Sequence, residues 1–245
     1  MLALARLIII PIYFILLNIY LIIFSACRPF HRDAVKVAGR MYCSMAKLAG
    51  LNVIVQNAEV IDPKESYVCI ANHQSTYDLV TTAKCAFPGV TTIGKKSLKW
   101  IPLFGQLYWL TGNIMIDRNN SGSAQSTLKR TADIIHKTRK SVLFFPEGTR
   151  SNGRGLLPFK TGAFRIASAT KNPILMICTS NNVNKIKWNR WDNGTVLVRY
   201  YEPEPFDESM DIKVMSEYYH DKMAQRLAIL NQEVASYEAS KKEKA

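Results

Sequence analysis

The sequence predicts an α/β fold: a largely parallel central sheet flanked by helices, preceded by an N-terminal helical hairpin suited to membrane attachment. Three observations predict it. From residue 51 onward, short β-branched runs alternate with longer stretches of helical periodicity, the order that gives strands joined by crossover helices. Polar and charged residues gather directly behind the strand candidates, where open α/β sheets bind ligands. Residues 7–26 are uncharged and mostly aliphatic. At 245 residues, 48% apolar and 21% charged, the chain has ample material for one large core, which excludes disordered, collagen-like and coiled-coil classes. It divides into residues 1–50, the membrane-attachment helices, and residues 51–245, the α/β domain.

As a helix, residues 7–26 would reach about 30 Å, enough for the hydrocarbon core of a bilayer. Arg6 is the one charge before Cys27, and Phe24-Ser25-Ala26-Cys27 has the outline of a cleavage box, so a secretory signal is the competing reading. The length of the apolar run and the Arg28, Arg32, Lys36, Arg40 and Lys47 that follow favour a retained segment with the rest of the chain in the cytoplasm. Residues 33–49 put Val35, Ala38, Met41, Tyr42, Met45 and Leu48 at helical spacing, with Lys36, Arg40 and Lys47 off that stripe. Such a basic amphipathic helix either packs on the domain or lies on an anionic leaflet.

Further along, strands are expected at 52–56, 67–71, 90–94, 113–117, 141–145, 173–179 and 195–201. Helices are expected at 78–87, 101–110, 123–140, 161–171 and 215–237. Residues 181–194 are polar and basic, carry Trp188 and Trp191, and read as a surface loop. The five scattered cysteines show no paired short spacing, which argues against a disulfide framework or a zinc knuckle.

Lys and Arg number 32 against 19 Asp and Glu, a net +13. Residues 84–160 alone hold 13 basic and 3 acidic side chains, and residues 200–245 hold 6 and 10. The balance calls for an anionic partner, and the asymmetry puts it at the middle of the chain.

Four successive strand ends carry the chemistry. Asn72-His73-Gln74-Ser75-Thr76-Tyr77-Asp78 follows the second strand, Lys95-Lys96 the third, Asp117-Arg118 the fourth and Pro146-Glu147-Gly148-Thr149-Arg150 the fifth. A histidine titrates near neutrality and is the usual general base, while a carboxylate fixes its tautomer. Five positions on a regular helix turn the pair about 140° apart, so His73 must sit in the strand-to-helix turn for Asp78 to reach it. Asn72 and Ser75 or Thr76 are the turn and cap candidates. Alone, this pairing is equally the mark of a structural histidine beside a capping aspartate. No Gly-x-Ser-x-Gly elbow accompanies it, so direct activation of a substrate hydroxyl is the chemistry it suits. The remaining histidines show no metal-ligand spacing, and no metal or cofactor is expected. Glycines next to Arg and Lys, as in 146–150 and Lys160-Thr161-Gly162, suit an oxyanion, although the Walker spacing is missing.

With these residues assembled, the chain resembles the 1-acyl-sn-glycerol-3-phosphate acyltransferases, above all the bacterial ones, of the glycerolipid acyltransferase superfamily. NHQSTYD at 72–78, GNIMIDR at 112–118, FPEGTR at 145–150 and the strand from Asn172 match in order. In that strand Met176 stands where a second proline is common. The resemblance implies acyl transfer from acyl carrier protein or coenzyme A thioester, as co-substrate, to the 2-hydroxyl of lysophosphatidic acid, giving phosphatidic acid at the cytoplasmic face of the inner membrane. It implies His73 as base with Asp78 orienting it, and Arg118, Glu147, Gly148 and Arg150 at the glycerol phosphate. Charge and placement add Lys95, Lys96 and Lys160. Other lysolipid acceptors, and a basic binding protein without catalysis, remain as rivals. No nucleic-acid-binding signature is present, and nucleic acid is not an expected partner.

Overall fold

The computed structural model describes residues 1–116 and 121–243. Seven strands form one sheet: β1 (Asn52–Gln56), β2 (Val68–Ala71), β3 (Val90–Lys95), β4 (Ile114–Ile116), β5 (Ser141–Phe144), β6 (Ile174–Thr179) and β7 (Thr195–Tyr200). Their order is β1-β7-β6-β2-β5-β3-β4. Neighbours pair in parallel except β6 and β7, which are antiparallel. The sheet is thus the largely parallel one expected, with β1 and β7 running opposite to the rest.

Burial on both faces explains why the central strands are apolar throughout rather than alternating. In β2, Val68 and Ile70 face one cluster and Cys69 and Ala71 the other. The first cluster is closed by α4 (Ser121–Thr138), α5 (Gly162–Thr170) and α6 (Ile212–Glu243), with Ile135, Phe164, Ile166, Met223 and Leu230 inside. The second is closed by α2 (Ala34–Leu48) through Val35, Cys43 and Ala46. The apolar surface of α2 is therefore divided, Val35, Cys43 and Ala46 packing under the sheet and Ala38, Tyr42 and Met45 against Leu17, Leu21 and Leu107, and of the two readings of this helix the packed one describes it. Burial pushes the thiols of Cys85 and Cys178 up to about 12, while Cys27 is exposed.

The helix expected at 78–87 is absent. Two short 3-10 turns replace it, Thr76–Leu79 and Thr82–Cys85. The cause is the Asp78 carboxylate, which turns back to the Gln74 and Ser75 amides and pins a tight first turn. α2 then holds the second turn in place. At Gly39 an added Cβ would lie 2.2 Å from the Ala83 carbonyl oxygen, so only hydrogen permits this approach.

α1 (Leu2–Cys27) packs one face on α2 and on α3 (Phe104–Leu110), burying Leu17 and Leu21 against Tyr42, Met45 and Leu107. Asn18, fully buried, accepts from the Tyr42 hydroxyl at 2.8 Å. The opposite face, with Leu7, Ile8, Ile12, Leu16, Ile19 and Ile23, is exposed. The helix is long and apolar enough to cross a membrane, with a mean hydropathy of 2.7 over its most apolar window. Arg6, 5% exposed, closes its start by donating to the carbonyls of Leu48 (3.0 Å), Trp188 (2.9 Å) and Arg190 (2.6 Å).

Gly39→Ala should drive α2 off the Ala83 carbonyl, because backbone on both sides leaves no flexible side chain to yield. The expected loss is about 1–3 kcal/mol, read as a lower unfolding midpoint in detergent. An unchanged midpoint would mean that α2 does not depend on this contact.

Candidate active site

The carboxyl ends of β2, β5 and β6 lie side by side, and the turns that leave them build one site. Asn72 joins two of them: its side-chain amide donates to the Thr179 carbonyl (2.9 Å) and its oxygen accepts from the Thr179 amide (2.8 Å). The chain then turns through His73 into the Ser75 cap. Ser75 Oγ accepts from the Tyr77 amide at 3.1 Å, and Asp78 completes a capping box.

Asp78 Oδ2 lies 2.7 Å from His73 Nδ1 and also accepts from the amides of Gln74 (2.8 Å) and Ser75 (3.2 Å). Its Oδ1 accepts from the side-chain amide of Asn182 at 2.8 Å. An ionised carboxylate only accepts, so the proton between the pair is assigned to Nδ1, and Nε2 is left as an acceptor. Asp78 is sealed, with 4% side-chain exposure, whereas His73 keeps 18%. The imidazole stacks on Phe145, centroids 4.2 Å apart and planes at 23°. Buried carboxylate below, aromatic wall beside and an open outer edge describe an oriented base.

The turn after β5 is wired to the same loop. The Ser151 amide donates to the His73 carbonyl and the Asn152 amide to the Gln74 carbonyl, both at 2.9 Å. Glu147 takes a different place from the one expected of a glycerol-phosphate ligand. It is 3% exposed, and its two oxygens accept from the amides of His73 (2.5 Å) and Leu157 (3.0 Å). Burial pushes its pKa up, against the pull of those amides. Glu147 fixes the backbone that carries His73, and it lines the cavity beside that turn together with Asn72, Gln74 and Ser151.

Gly148 adopts φ +69, and the Lys160 side chain lies against it, 2.9–3.0 Å from where a Cβ would be. The Lys160 amide in turn donates to the Pro146 carbonyl at 2.8 Å. Gly148, Arg150 and Lys160 are thereby brought to one turn next to His73, and Arg150 is exposed. Lys95 ends β3, the neighbour of β5, and Lys96 follows it, so both stand at this same edge of the sheet. Arg118 lies outside the described residues.

Two partners escaped sequence reasoning as site residues. Asn182, fully buried, donates to Asp78 and to Thr81 Oγ1 (3.1 Å) and receives the Ser75 hydroxyl at 3.0 Å. Gln74 donates to the carbonyls of Thr179 (2.8 Å) and Ser180 (3.0 Å) and accepts the Asn182 amide at 3.1 Å. Glu147 was seen, but its duty was not. The strand-end position of 179–182 was the one available signal, since its partner turn lies about a hundred residues earlier. Met176, in place of the second proline, is a core residue under α6, 1% exposed, with the Arg226 guanidinium 3.2 Å from its sulfur.

A family model described as Acyltransferase matches residues 52–180. The 1-acyl-sn-glycerol-3-phosphate acyltransferase of Escherichia coli strain K12 is 43% identical over 99% of this chain and 100% of its own length. That of Haemophilus influenzae is 40% identical over 96% of this chain and 99% of its own. The crystal structure of a 1-acyl-sn-glycerophosphate acyltransferase from Thermotoga maritima covers 94% of this chain and 99% of that one, with a TM-score of 0.69 at 19% identity, a likeness of fold. The His73–Asp78 pair and the turn that holds it lie inside the matched span, and the chain belongs to the acyltransferase family, beside the bacterial 1-acyl-sn-glycerol-3-phosphate acyltransferases.

Proposed function

We propose that this acyltransferase moves a fatty acyl group from a coenzyme A or acyl-carrier-protein thioester to the 2-hydroxyl of 1-acyl-sn-glycerol 3-phosphate. The observation that carries this reading is a base oriented by a buried carboxylate and left partly open to solvent. Ser75, in the same turn, has its hydroxyl committed to Asn182 and Tyr77. His73 Nε2 takes the proton as the substrate hydroxyl oxygen bonds to the thioester carbonyl carbon. The tetrahedral oxyanion collapses, the carbon–sulfur bond breaks, and the thiolate leaves with the proton that His73 returns. Asp78 holds the imidazole and stabilises its charged form throughout.

The acceptor's phosphate fits the turn where Arg150, Gly148 and Lys160 meet, with Lys95 and Lys96 as further cations of the same sheet edge and Arg118 added from its place in the GNIMIDR block alone. Glu147 serves this site from beneath as a positioning residue. The acceptor is an amphiphile, which suits the exposed apolar face of α1. Both ends of that helix are tied to the same α/β body, Arg6 to the loop before β7 and Phe30 to the Leu110 carbonyl, so α1 lies against the membrane rather than running through it. The basic residues that follow α1 are in keeping with an anionic cytoplasmic leaflet as the surface it lies on.

His73→Ala and Asp78→Asn should each lower kcat about 10²–10⁴-fold without loss of fold, measured as phosphatidic acid formed from 1-oleoyl-glycerol 3-phosphate and labelled thioester. Near-normal turnover in either folded variant would overturn the mechanism. Arg150→Ala should raise the lysolipid KM about tenfold to a hundredfold, and Arg150→Lys should rescue little because a point charge lacks the planar fork. A defect confined to the thioester KM would move Arg150 to the donor.

Glu147→Gln keeps one acceptor for two amides, so kcat should fall while both KM values stay close to wild type. Its raised pKa means that the folded protein favours the neutral carboxyl. The stability of the wild type relative to the Gln variant should therefore be greatest at acid pH and shrink as pH rises through the folded-state value. A pH-independent difference would remove the buried charge from the account.

A further inference from the structure

The sequence holds four tryptophans, and the structure exposes every one of them: Trp100 by 76%, Trp109 by 57%, Trp188 by 39% and Trp191 by 79%. So large an apolar ring is ordinarily well covered in a water-soluble surface, and tryptophans left open beside basic residues are the mark of a bilayer interface. They fall into two groups. Trp100 precedes α3 and Trp109 lies in its last turn. Trp109 meets Phe30, just beyond the C-terminal end of α1, edge to face at 5.1 Å, and Lys99 lies over the Trp100 ring at 4.5 Å. Trp188 and Trp191 belong to the 181–194 loop, which has no part in the proposed chemistry beyond Asn182.

That loop is fastened to the start of α1. The Arg6 guanidinium takes the carbonyls of Lys187, Trp188, Arg190 and Trp191, and the Asn189 side chain accepts the Ala3 amide at 2.9 Å. The backbone of Trp188 and Trp191 is therefore fixed at the start of α1, the stretch in which Leu4, Leu7 and Ile8 are exposed. The loop's charge is cationic toward solvent. Asp192 is paired with Lys241 at 2.8 Å and Glu238 with Lys185 at 2.9 Å, while Lys187 and Arg190 are exposed.

We propose that this loop is a second membrane anchor. Trp188 and Trp191 seat at the interface of an anionic leaflet while Lys187 and Arg190 meet its phosphates, so α1 is held to one membrane surface at both ends. The proposal rests on the membrane reading of α1 and adds an element to it. Exposed tryptophans and basic residues stand at both ends of α1, Trp188, Trp191, Lys187 and Arg190 by its start and Trp109 with Phe30 beyond its end, and the exposed residues of α1 between them are apolar. An anionic bilayer matches that pattern; a folded protein partner would have to offer about 39 Å of matching apolar ridge, the length of a 26-residue helix.

The test uses the full chain bound to phosphatidylglycerol–phosphatidylcholine vesicles whose acyl chains carry bromine, a contact quencher of indole. Trp100→Phe/Trp109→Phe keeps the loop pair, and Trp188→Phe/Trp191→Phe keeps the α3 pair. The proposal expects fluorescence to be quenched in both. Quenching confined to the variant that keeps Trp100 and Trp109 would overturn the loop anchor and leave the α1 reading standing. Quenching in neither would overturn both. In a second arm, Lys187→Glu/Arg190→Glu should weaken partition onto the anionic vesicles by about fivefold or more per charge at low salt and change little on phosphatidylcholine alone. Unchanged partition on the anionic vesicles would overturn the headgroup contact.

Discussion

The molecule's chemistry hangs on one buried carboxylate. Asp78 is shut away from solvent, where an unpaired charge would be intolerable, and four donors make its burial tenable. Three come from its own turn and one from Asn182, across the sheet edge. Satisfying this group dictates the local backbone: the first turn tightens to 3-10 geometry, the segment after it cannot continue as an α-helix, and β6 runs two residues past the end of β2 so that its exit meets the turn. Asn72 and Gln74 then bind the same β6 exit, so the loop that carries the base is clamped from two sides. Little freedom is left at His73 except its outer edge, which is what a base that meets a mobile substrate requires.

Much of this was legible in the sequence because it is local or periodic. Fully apolar runs marked the strands, and strand-to-turn positions marked the edge where polar residues would converge. The failures are of one kind. The helix read at 78–87 has adequate periodicity, but the long-range demand of Asp78 and the close approach of α2 at Gly39 override it. Glu147 looked like a ligand for phosphate because of its neighbours, yet its oxygens face the His73 and Leu157 amides, and no local pattern distinguishes an inward carboxylate from an outward one. Asn182 belongs to a stretch that reads as ordinary polar loop, and its partner lies 104 positions earlier.

The two N-terminal helices divide apolar surface differently. α2 divides its apolar surface between the sheet and α1 and becomes part of the core, so its basic residues are what it leaves outside. α1 gives one face to α2 and α3 and keeps the other bare. Two polar contacts fix its register on this seat, Asn18 with Tyr42 and Arg6 with the carbonyls around 187–191. An apolar helix without them could slide or roll; with them it presents one defined ridge.

Arg6 also orders events in time. The carbonyls of the 187–191 segment that satisfy it lie 181–185 positions later in the chain, and β1 likewise waits for β7, its only partner among the described residues. While the ribosome builds the intervening polypeptide, the Arg6 guanidinium has only the Leu48 carbonyl of its native acceptors, and water or lipid phosphate must serve for the rest. α1 can meet α2 and α3 early, but the capping of its start waits for the late segments that are stitched back onto the beginning of the chain.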